Sequence, residues 1–428
     1  MVLPFWQFKG TLLAMPRSNI YVGLEIGTSK ICVVVGDARS DGTIKILGVG
    51  QAPSRGVRKG EIVDFDTAQT CLQDALVRAE DRSDIMIRKV WLAITGPHIE
   101  SCNNPGLIRI PDDQSEITED DIEEVKEQAS NVAIPPDNIF LHRIIRHYYV
   151  DGQQKVLNPV GMLGKKLEAD YHIVHGIRSR IQNTVRCLRE FPLEVEDIVF
   201  SPIAAGQVVL NREARQQGAL LLDIGGGTTD YVLYESSAIA ASGSVGVGGD
   251  HISNDLSIVL KIPMSRAEKL KVEHGSVLPV AGDEEDIIRL AGDTTFDGRD
   301  VQREVLNDVI RARLTENFEL VKKRLLAQGA PLERLAGGLY LCGGSSQLRG
   351  IDQLAEEVFG LPVRRSNFSP MTGLTSNFEN PQYATPIGLI RYAQRVEAER
   401  PARGPFARLT EKLSSLFSGT RLGSTIIG

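Results

Sequence analysis

The sequence lacks several patterns that would assign it to a function class at once. It has no run of about 18 apolar residues, so it predicts no transmembrane helix. Its formal net charge is −7 rather than positive, which argues against general nucleic-acid binding and predicts no nucleic-acid partner. Its five cysteines include no CxxC pair and are odd in number, which predicts buried free thiols in a reducing cytoplasm.

The usual ligand-binding motifs are also missing. Neither the GxxxxGK[ST] spacing of a P-loop nor the GxGxxG spacing of a dinucleotide site occurs. Histidines do not cluster in a metal-binding pattern, since His172 and His175 stand three apart in a predicted strand and so point to opposite faces. Any nucleotide or metal site must therefore use a different arrangement of glycines and acids.

The first residues are apolar but do not form a clean signal sequence. Lys9 and Gly10 interrupt the apolar stretch, and no small-residue cleavage site follows it. Met15 stands just before the first predicted strand, so residues 1–14 are interpreted as an upstream extension or a misplaced start. A weak membrane-touching segment is the alternative.

Two glycine turns stand out among what the sequence does contain. Residues 220–230 read LLLDIGGGTTD, a strand end followed by an acid, three glycines, two hydroxyls and a second acid. Residues 21–35 read YVGLEIGTSKICVVV, which repeats strand, acid, glycine turn and strand. Glycine lets backbone N–H groups approach a phosphate, and an acid at a strand end can hold Mg²⁺ through water. Either loop alone is equally compatible with a simple tight turn.

A third glycine element completes the pattern. Residues 339–346 read LYLCGGSS, again a strand followed by a glycine pair. Two strand–acid–glycine hairpins about 200 residues apart predict two related lobes facing one nucleotide. In this order, the three elements resemble the two phosphate loops and the adenosine loop of the actin-like ATPase superfamily.

Hydrophobic periodicity gives a coarse map of the chain. Strands are predicted at 21–24, 31–36, 44–49, 90–95, 138–149, 167–177, 194–201, 219–223, 230–234, 238–244 and 339–342. Helices are predicted at 67–79, 118–131, 178–189, from 202 onward, and at 253–261, 265–273, 301–328, 347–359 and 384–398. Residues 277–300 are acidic and rich in Gly and Asp, which predicts a solvated loop or small strands.

The C-terminal segment is short and strongly patterned. After a Pro- and Arg-rich linker, large apolar residues recur at helical spacing on one face, with charged residues elsewhere. A basic amphipathic helix beyond a linker is typical of an interfacial membrane anchor for anionic lipids, although a helix that docks on a protein surface has the same pattern. The predicted membrane-facing residues are Phe406, Leu409, Leu413, Leu416 and Phe417.

Within the superfamily, the chain resembles the FtsA family of bacterial division proteins from about residue 19 to residue 417. The motifs that carry the resemblance are 22–30 (VGLEIGTSK), 53–60 (PSRGVRKG), 158–161 (NPVG), 223–230 (DIGGGTTD), 371–375 (MTGLT) and 384–389 (ATPIGL). The resemblance implies an α/β, two-lobed actin-like ATPase fold, with an α+β insert in the first lobe and a C-terminal amphipathic helix.

The resemblance also implies a division of the chain into parts. These are an N-terminal extension (1–19), the core of lobe one (20–98 and 178–217), the insert (99–177), the core of lobe two (218–263 and 338–384), the arm of lobe two (264–337), the last helix of the body (385–399), a linker (400–404), the amphipathic helix (405–418) and a tail (419–428).

The implied function is an ATP-binding protein that polymerises and ties FtsZ filaments to the membrane. The arm is expected to bind the FtsZ C-terminal peptide, and the insert is expected to serve filament contacts and the recruitment of later division proteins. The chain is expected to associate with itself and to lie peripherally on the cytoplasmic face of the inner membrane at the division site.

The resemblance implies ATP and Mg²⁺ as cofactors and assigns residues to them. Asp223 is expected to organise Mg²⁺ with Glu25 nearby, and these two are the candidates if any residue is catalytic. Lys30 is close enough in sequence to reach phosphate, or is a solvated strand residue. The other cofactor-binding residues are Gly27, Thr28, Ser29, Gly225, Gly226, Gly227, Thr228 and Thr229 in the phosphate loops, Gly343, Gly344 and Ser345 at the adenosine, and Glu268 and Lys271 at the ribose.

Two assignments leave alternatives open. Glu268 and Lys271 are also compatible with an exposed i, i+3 ion pair of little value. Ser201 stands where the superfamily's chaperones and MreB place a Glu that positions the attacking water, and a Ser does not take up a proton at neutral pH. We therefore expect tight ATP binding with at most slow hydrolysis.

Two other functions fit the superfamily. A pilus-assembly ATP-binding protein at the inner membrane resembles this family but usually lacks the separate tail helix. An actin-fold kinase needs an acidic base over a sugar pocket and gives no account of the tail. The loops, the insert and the tail together favour the division protein.

Overall fold

The structure is a computed structural model that describes residues 19–39, 41–111, 116–153, 155–279, 286–292, 296–365, 371–373 and 380–399. The predicted extension, linker, amphipathic helix and tail lie outside these residues, apart from Asn19. Within the described part, no helix is both long enough and apolar enough to cross a bilayer.

Most predicted strands and helices are present, with small shifts at their ends. The strands are β1 (Ile20–Ile26), β2 (Lys30–Ala38), β3 (Ile44–Pro53), β4 (Val57–Arg58), β5 (Glu61–Ile62), β6 (Lys89–Ile94), β7 (Ile99–Arg109), β8 (Asn138–Val150), β9 (Lys166–Ile177), β10 (Glu194–Phe200), β11 (Ala219–Ile224), β12 (Thr229–Glu235), β13 (Ala238–Val245), β14 (Ile287–Leu290), β15 (Arg299–Gln302), β16 (Gly338–Cys342) and β17 (Met371–Gly373). The helices are α1 (Phe65–Ser83), α2 (Glu119–Ser130), α3 (Arg178–Cys187), α4 (Ser201–Val209), α5 (Arg212–Gln217), α6 (Gly249–Leu260), α7 (Met264–His274), α8 (Arg303–Ala327), α9 (Ile351–Phe359) and α10 (Ala384–Glu399).

The first lobe is built on a six-stranded sheet in the order β10-β6-β1-β2-β3-β17. The hairpin β1–β2 is antiparallel, whereas β6 and β10 run parallel to β1. The carboxyl ends of parallel strands meet at one edge of a sheet, where ligands commonly bind. Thr95 and Ser201, which directly follow β6 and β10, therefore lie beside the turn after β1.

The second lobe repeats this plan on a four-stranded sheet in the order β13-β12-β11-β16. The hairpin β11–β12 is antiparallel, and β16 runs parallel to β11. Asp223 pairs in register with Cys342, so the turn after β11 and the glycine pair after β16 meet at the same edge. The molecule's second apolar core lies between this sheet and the helices α6, α7, α8 and α9.

Two helices pack between the sheets. Every residue of α4 is buried, which its mostly small and apolar residues allow. Helix α10 packs closely on α4, since a Cβ added at Gly388 would lie 2.0 Å from the Ala204 carbonyl oxygen. It packs equally closely on β1, since a Cβ at Gly23 would lie 2.1 Å from the Pro386 carbonyl oxygen. The small residues of the sequence thus set how near the two lobes come.

The insert is a three-stranded antiparallel sheet in the order β7-β9-β8, with α2 on one face. Helix α2 begins with the predicted acidic cap, in which Thr118 and Asp121 cap one another. The insert has an apolar core of its own, which includes Ile122, Val125 and Ile173. It therefore forms a separately packed unit inside the first lobe.

Three predictions of local structure were wrong. The helix predicted at 347–359 begins only at Ile351, because Gly350 has a φ of 81° and a short 3₁₀ turn precedes it. Ser201 was predicted to end a strand, but it begins α4. The helix predicted at 253–261 begins earlier, at Gly249. The strand β7 and the small hairpin β4–β5 were not predicted at all.

Candidate functional site

The two lobes enclose a cavity of about 670 Å³. The turns after β1 and β11, the glycine pair after β16 and one face of α7 line it. The predicted cofactor residues that line it are Glu25, Gly27, Thr28, Ser29, Lys30, Asp223, Gly225, Gly226, Gly227, Thr228, Glu268, Lys271, Gly343, Gly344 and Ser345. Residues that are far apart in sequence thus meet around one space.

The two glycine turns have the same geometry. The Gly27 N–H donates to the Lys30 carbonyl at 3.0 Å, and the Gly225 N–H donates to the Thr228 carbonyl at 2.9 Å. Each turn joins two antiparallel strands, and the acid lies two residues before the first glycine. Glu25 and Asp223 therefore occupy equivalent places, one in each lobe.

The turns approach each other so closely that only glycine fits. A Cβ at Gly227 would lie 2.4 Å from Thr28 Oγ1 and 2.8 Å from the Lys59 Cα. The Gly60 N–H donates to Thr28 Oγ1 at 3.1 Å, so the β4–β5 hairpin lies against both turns. The backbone of both turns is therefore held next to the cavity.

Three carboxyls lie at the cavity: Asp223 and Asp230 are buried, and Glu25 is half-buried. Burial raises the pKa of Glu25 to about 7, although Lys30 opposes the rise. Burial, with the neighbouring Asp223 charge, raises the pKa of Asp230 to about 7. Burial also raises the pKa of Asp223. The protein thus places three acids together, and the Asp223 charge raises the pKa of both Glu25 and Asp230.

Threonines at the end of β6 and the start of α10 hold two of these acids. Thr95 Oγ1 lies 2.7 Å and 2.6 Å from the two carboxylate oxygens of Asp230. Thr385 Oγ1 donates to Asp223 Oδ2 at 2.7 Å. In contrast, Glu25 Oε2 is buried without a hydrogen-bond partner. An orphaned carboxylate oxygen beside two other acids is a place where a cation would be stabilised.

This arrangement fits Mg²⁺ held partly by other groups. Among the described residues, no three His, Cys, Asp or Glu side chains converge as a complete metal site. Mg²⁺ usually keeps several waters and binds through one or two carboxylates plus substrate phosphates. Asp223 and Glu25 supply carboxylates at the phosphate turns, so the residues present fit that mode.

Lys30 is not a solvated strand residue. Its Nζ donates to the Gln382 carbonyl at 2.5 Å and lies 4.5 Å from the centre of the Tyr383 ring. It also lines the cavity. The ammonium group is therefore fixed at the edge of the first turn, where it faces the acids.

Glu268 and Lys271 are not an exposed ion pair. The Lys271 side chain is 7% exposed and donates to Glu268 Oε2 at 2.6 Å and to the Gly249 carbonyl at 3.0 Å. Only Glu268 is open to solvent, and Ser253 also bonds to it. The pair is part of the cavity wall.

The glycine pair after β16 lies directly against the second turn. Gly343 has a φ of 85°, and a Cβ there would lie 2.5 Å from Asp223 Oδ1. Ser345 Oγ donates to the Gly225 carbonyl at 3.3 Å. No Cβ contact would arise at Gly344, which faces open space.

Thr229 does not line the cavity, unlike the other predicted residues of the second turn. Its hydroxyl donates to the Val247 carbonyl at 2.9 Å and accepts from Asn317 Nδ2 at 2.7 Å. It is fully buried in β12, where alternation turns its side chain away from the cavity side that Thr228 and Asp230 line. The structure therefore gives Thr229 a packing role.

Sequence reasoning missed several residues of the cavity wall. Thr95 follows β6 directly, so its place at a strand end before Gly96 was a usable signal. Asp230 was visible as the second acid of the motif. Gln382 and Thr385 reach the cavity only through the packing of α10 and carried no local signal. The predicted membrane-facing residues lie outside the described part of the chain.

Fold and cavity together define a class of protein. Two sheets share central helices, and each contributes an acid-bearing hairpin turn to one cleft, which is an actin-like arrangement. The solved PilM-PilN type IV pilus biogenesis complex matches with a TM-score of 0.61 at 17% identity, over 88% of this chain and 98% of that one. MreB5 of Spiroplasma citri, solved with ADP, matches with a TM-score of 0.54 at 16% identity, over 91% of this chain and 100% of that one.

Sequence relatives narrow the class further. Residues 220–388 match the family model described as cell division protein FtsA, and residues 96–175 match the SHS2 domain inserted in FtsA. Cell division protein FtsA of Neisseria meningitidis serogroup B is 36% identical over 388 residues, covering 90% of this chain and 93% of that protein. The Pseudomonas aeruginosa protein is 34% identical over 91% of this chain and 92% of its own length. The chain belongs to the FtsA family.

Proposed function

We propose that this chain is an ATP-binding, actin-like polymerising protein of bacterial cell division. The observation that carries the nucleotide part is the pair of equivalent hairpin turns, which meet across a cavity of about 670 Å³ lined by buried acids. The related MreB5 fold was solved with ADP, which supports a nucleotide in the same kind of cleft. The relatives at 34–36% identity are named as cell division proteins, which supports the cellular role.

Each part of the cavity suits one part of Mg·ATP. The turn amides and Lys30 suit the phosphates, since backbone N–H groups in tight turns form anion-binding concavities. Asp223 and Glu25 would hold Mg²⁺, which neutralises phosphate charge when bound. Gly343, Gly344 and Ser345 would line the adenosine, and the pair of the half-exposed Glu268 and the buried Lys271 would contact the ribose.

The cavity wall provides no free general base for ATP hydrolysis at Ser201 or Asp230, so we expect at most slow hydrolysis. Ser201 Oγ lies 3.0 Å from the Ile94 carbonyl and donates to it, so its proton is already engaged in the cavity wall. Asp230 lines the cavity, but both of its oxygens lie within bonding distance of Thr95. These groups can orient a water, and neither is a free base.

In this proposal, the protein assembles into filaments and links FtsZ to the membrane. Residues 264–337 would receive the FtsZ C-terminal peptide, and residues 99–177 would serve the recruitment of later division proteins. Residues 405–418 would form the amphipathic helix that binds anionic lipids at the cytoplasmic face of the inner membrane. The proposed boundaries of lobes, insert, arm and linker are those implied by the family resemblance.

Nucleotide binding is tested with the full-length chain by calorimetry with Mg·ATP. We expect Lys271→Ala to weaken binding by about tenfold or more, because it removes a buried charge-assisted contact and leaves Glu268 unpaired. Lys269→Ala is the matched control, since that lysine lies on the same helix with a 72% exposed side chain. Wild-type protein that fails to bind Mg·ATP at millimolar concentration contradicts the proposal.

Membrane tethering is tested by liposome co-sedimentation with Mg·ATP. We expect the full-length protein to pellet with anionic vesicles, and a truncation after Arg400 to stay in the supernatant. Phe406→Glu or Leu413→Glu should also abolish pelleting, because a charge on the apolar face opposes interfacial burial. Ser415→Glu adds the same charge to the polar face and should pellet. Equal pelleting of full-length and truncated protein argues against a tail anchor.

The pilus-assembly role remains the alternative. The PilM-PilN match shares the fold at 17% identity, whereas the division proteins share twice that identity over most of both chains. Pelleting that depends on a membrane partner's peptide, and not on residues 405–418, would favour it. The relatives reported above lend no support to an actin-fold kinase.

A further inference from the structure

The insert contacts both lobes, although the chain joins it only to the first. It leaves the first lobe after β6 and returns to it at α3. Nevertheless, its strand β7 packs along β13, the outer strand of the second lobe's sheet. We call this contact the seam and define it by Ser101, Asn103 and His172 of the insert and by residues 240–242 of β13.

Side chains, rather than a neighbouring strand, cover the β13 edge at the seam. Ser101 Oγ donates to the Ser242 carbonyl at 2.7 Å, and Asn103 Nδ2 donates to the Ala240 carbonyl at 2.8 Å. The two-residue spacing on both strands matches the repeat of extended backbone. An unpaired sheet edge normally invites pairing, and here two polar side chains satisfy it instead.

His172 completes the network from β9. Its Nδ1 lies 2.7 Å from Asn103 Oδ1, and its Nε2 lies 2.8 Å from Ser242 Oγ. Asn103 Oδ1 can only accept, so Nδ1 carries the proton and Nε2 accepts from the Ser242 hydroxyl. Burial lowers the pKa of His172 to about 3, so this neutral form persists at physiological pH.

Strand β13 connects the seam to the nucleotide cleft. Ser244, two residues beyond Ser242, is the register partner of Asp230 in the cavity wall. Residues 240, 242 and 244 lie on alternate positions of one strand. Helix α8 of the second lobe fixes the same edge, since Gln328 donates to the Ser242 carbonyl at 3.1 Å and Arg324 donates to the Ser244 carbonyl at 2.6 Å.

The segment of the first lobe that reaches the seam also reaches the cleft. Thr95, which bonds to Asp230 across the lobes, stands a few residues before Ser101 in the chain. Both contacts cross from the first lobe to the second. A rotation of one lobe against the other that widens or narrows the cleft must therefore shift or break the seam.

We propose that the seam is a latch that couples the insert to the nucleotide site. With the seam made, β13 and the cleft wall are held as the structure shows them, and binding of Mg·ATP is favoured. With the seam broken, the insert is held less firmly against β13 and binding is weaker. This inference rests on the proposed nucleotide binding, and linkage requires that the nucleotide in turn stabilise the seam.

The chain provides a matched pair of variants for the test. Asn103 and Asn104 are neighbours on β7, and each donates from Nδ2 to an alanine carbonyl at 2.8 Å. Asn103 bonds across the seam to Ala240, whereas Asn104 bonds within the insert to Ala129. Asn103→Ala also removes the acceptor of His172 Nδ1, which belongs to the seam. Comparing it with Asn104→Ala therefore separates loss of the seam network from loss of a hydrogen bond elsewhere in the insert.

The measurements are calorimetric affinity for Mg·ATP and amide hydrogen exchange, both on the full-length chain. We expect Asn103→Ala to weaken binding by about three- to tenfold, the effect of the one hydrogen bond that Asn103 donates to the second lobe, and Asn104→Ala to leave it unchanged. In the wild-type protein, Mg·ATP should slow exchange in 238–245 and 99–109, and Asn103→Ala should remove this protection.

Several results overturn the latch. If wild-type protein binds Mg·ATP and both variants bind it equally well, the seam is a static contact. If both variants weaken binding alike, the effect comes from the insert's own stability. Ser101→Ala provides a second seam variant and must follow Asn103→Ala. Wild-type protein that binds no Mg·ATP refutes the proposed function itself, and the coupling with it, which distinguishes the two failures.

Discussion

Glu25 and Asp223 are equivalent residues of two lobes, and their environments explain why they are acids. Each lies at the end of a strand beside a glycine turn; Asp223 is buried, and Glu25 is half-buried with its Oε2 atom out of contact with solvent. Only Asp223 receives a hydroxyl, from Thr385, whereas Glu25 keeps one buried oxygen without a partner. A buried acid in this state costs stability until a cation compensates it, so we infer that its position serves binding.

This energetic cost predicts how the stability of the protein depends on pH when nucleotide and Mg²⁺ are absent. The Glu25 pKa is raised from 4.5 to about 7, so between these values the folded protein holds a proton that the unfolded chain releases. The free energy of unfolding should therefore fall as pH rises through this range and level off above it. Glu25→Gln removes the penalty and should stabilise the protein at pH 8 by at most roughly 3 kcal/mol, with little effect at pH 5.

Thermal melts in chelator at pH 5 and pH 8 measure this difference. Glu304→Gln, at an exposed position on α8, is the control for the loss of one charge. A Glu25→Gln protein that is less stable than wild type at pH 8 would show that the carboxylate is already compensated by protein groups.

At the scale of elements, the hairpin turns could be predicted from sequence because their signal is local. The run of strand, acid, glycine and hydroxyl fixes each turn through one backbone bond, from Gly27 to Lys30 and from Gly225 to Thr228. Helix α1 was equally readable, since its buried residues recur at helical spacing and Asp64 caps it.

Elements that depend on distant partners could not be predicted in this way. Strand β7 contains Asn-Asn-Pro-Gly, which reads as a turn, and it is a strand because eleven of its residues pair with β9. Thr229 looked like part of the phosphate turn because the motif includes it. Its role is decided by α8, which supplies Asn317 from the far side of the sheet. Tertiary packing thus overrides the local pattern at both places.

At the scale of the whole molecule, one apolar core crosses the boundary between the lobes. It contains Leu24 and Leu92 from the first sheet, together with Leu221 and Val232 from the second. Helices α4 and α10 lie in this core. The sheet faces that meet in this core are therefore packed only when both lobes are in place, although the second lobe also has an apolar core of its own.

The shared core predicts that both lobes unfold together. We expect one cooperative transition by calorimetry for the six-stranded and four-stranded sheets, because exposing the α4–α10 layer disrupts both sheets at once. Mg·ATP at about 100 times its dissociation constant should stabilise this single transition by about 2.7 kcal/mol, since the ligand binds only the assembled cleft. Lys271→Ala, if it binds about tenfold more weakly, should reduce this shift to about 1.4 kcal/mol at the same ligand concentration, and Lys269→Ala should keep the full shift. Two transitions, only one of which responds to nucleotide, would mean that the lobes fold independently and that the common core contributes little to their cooperation.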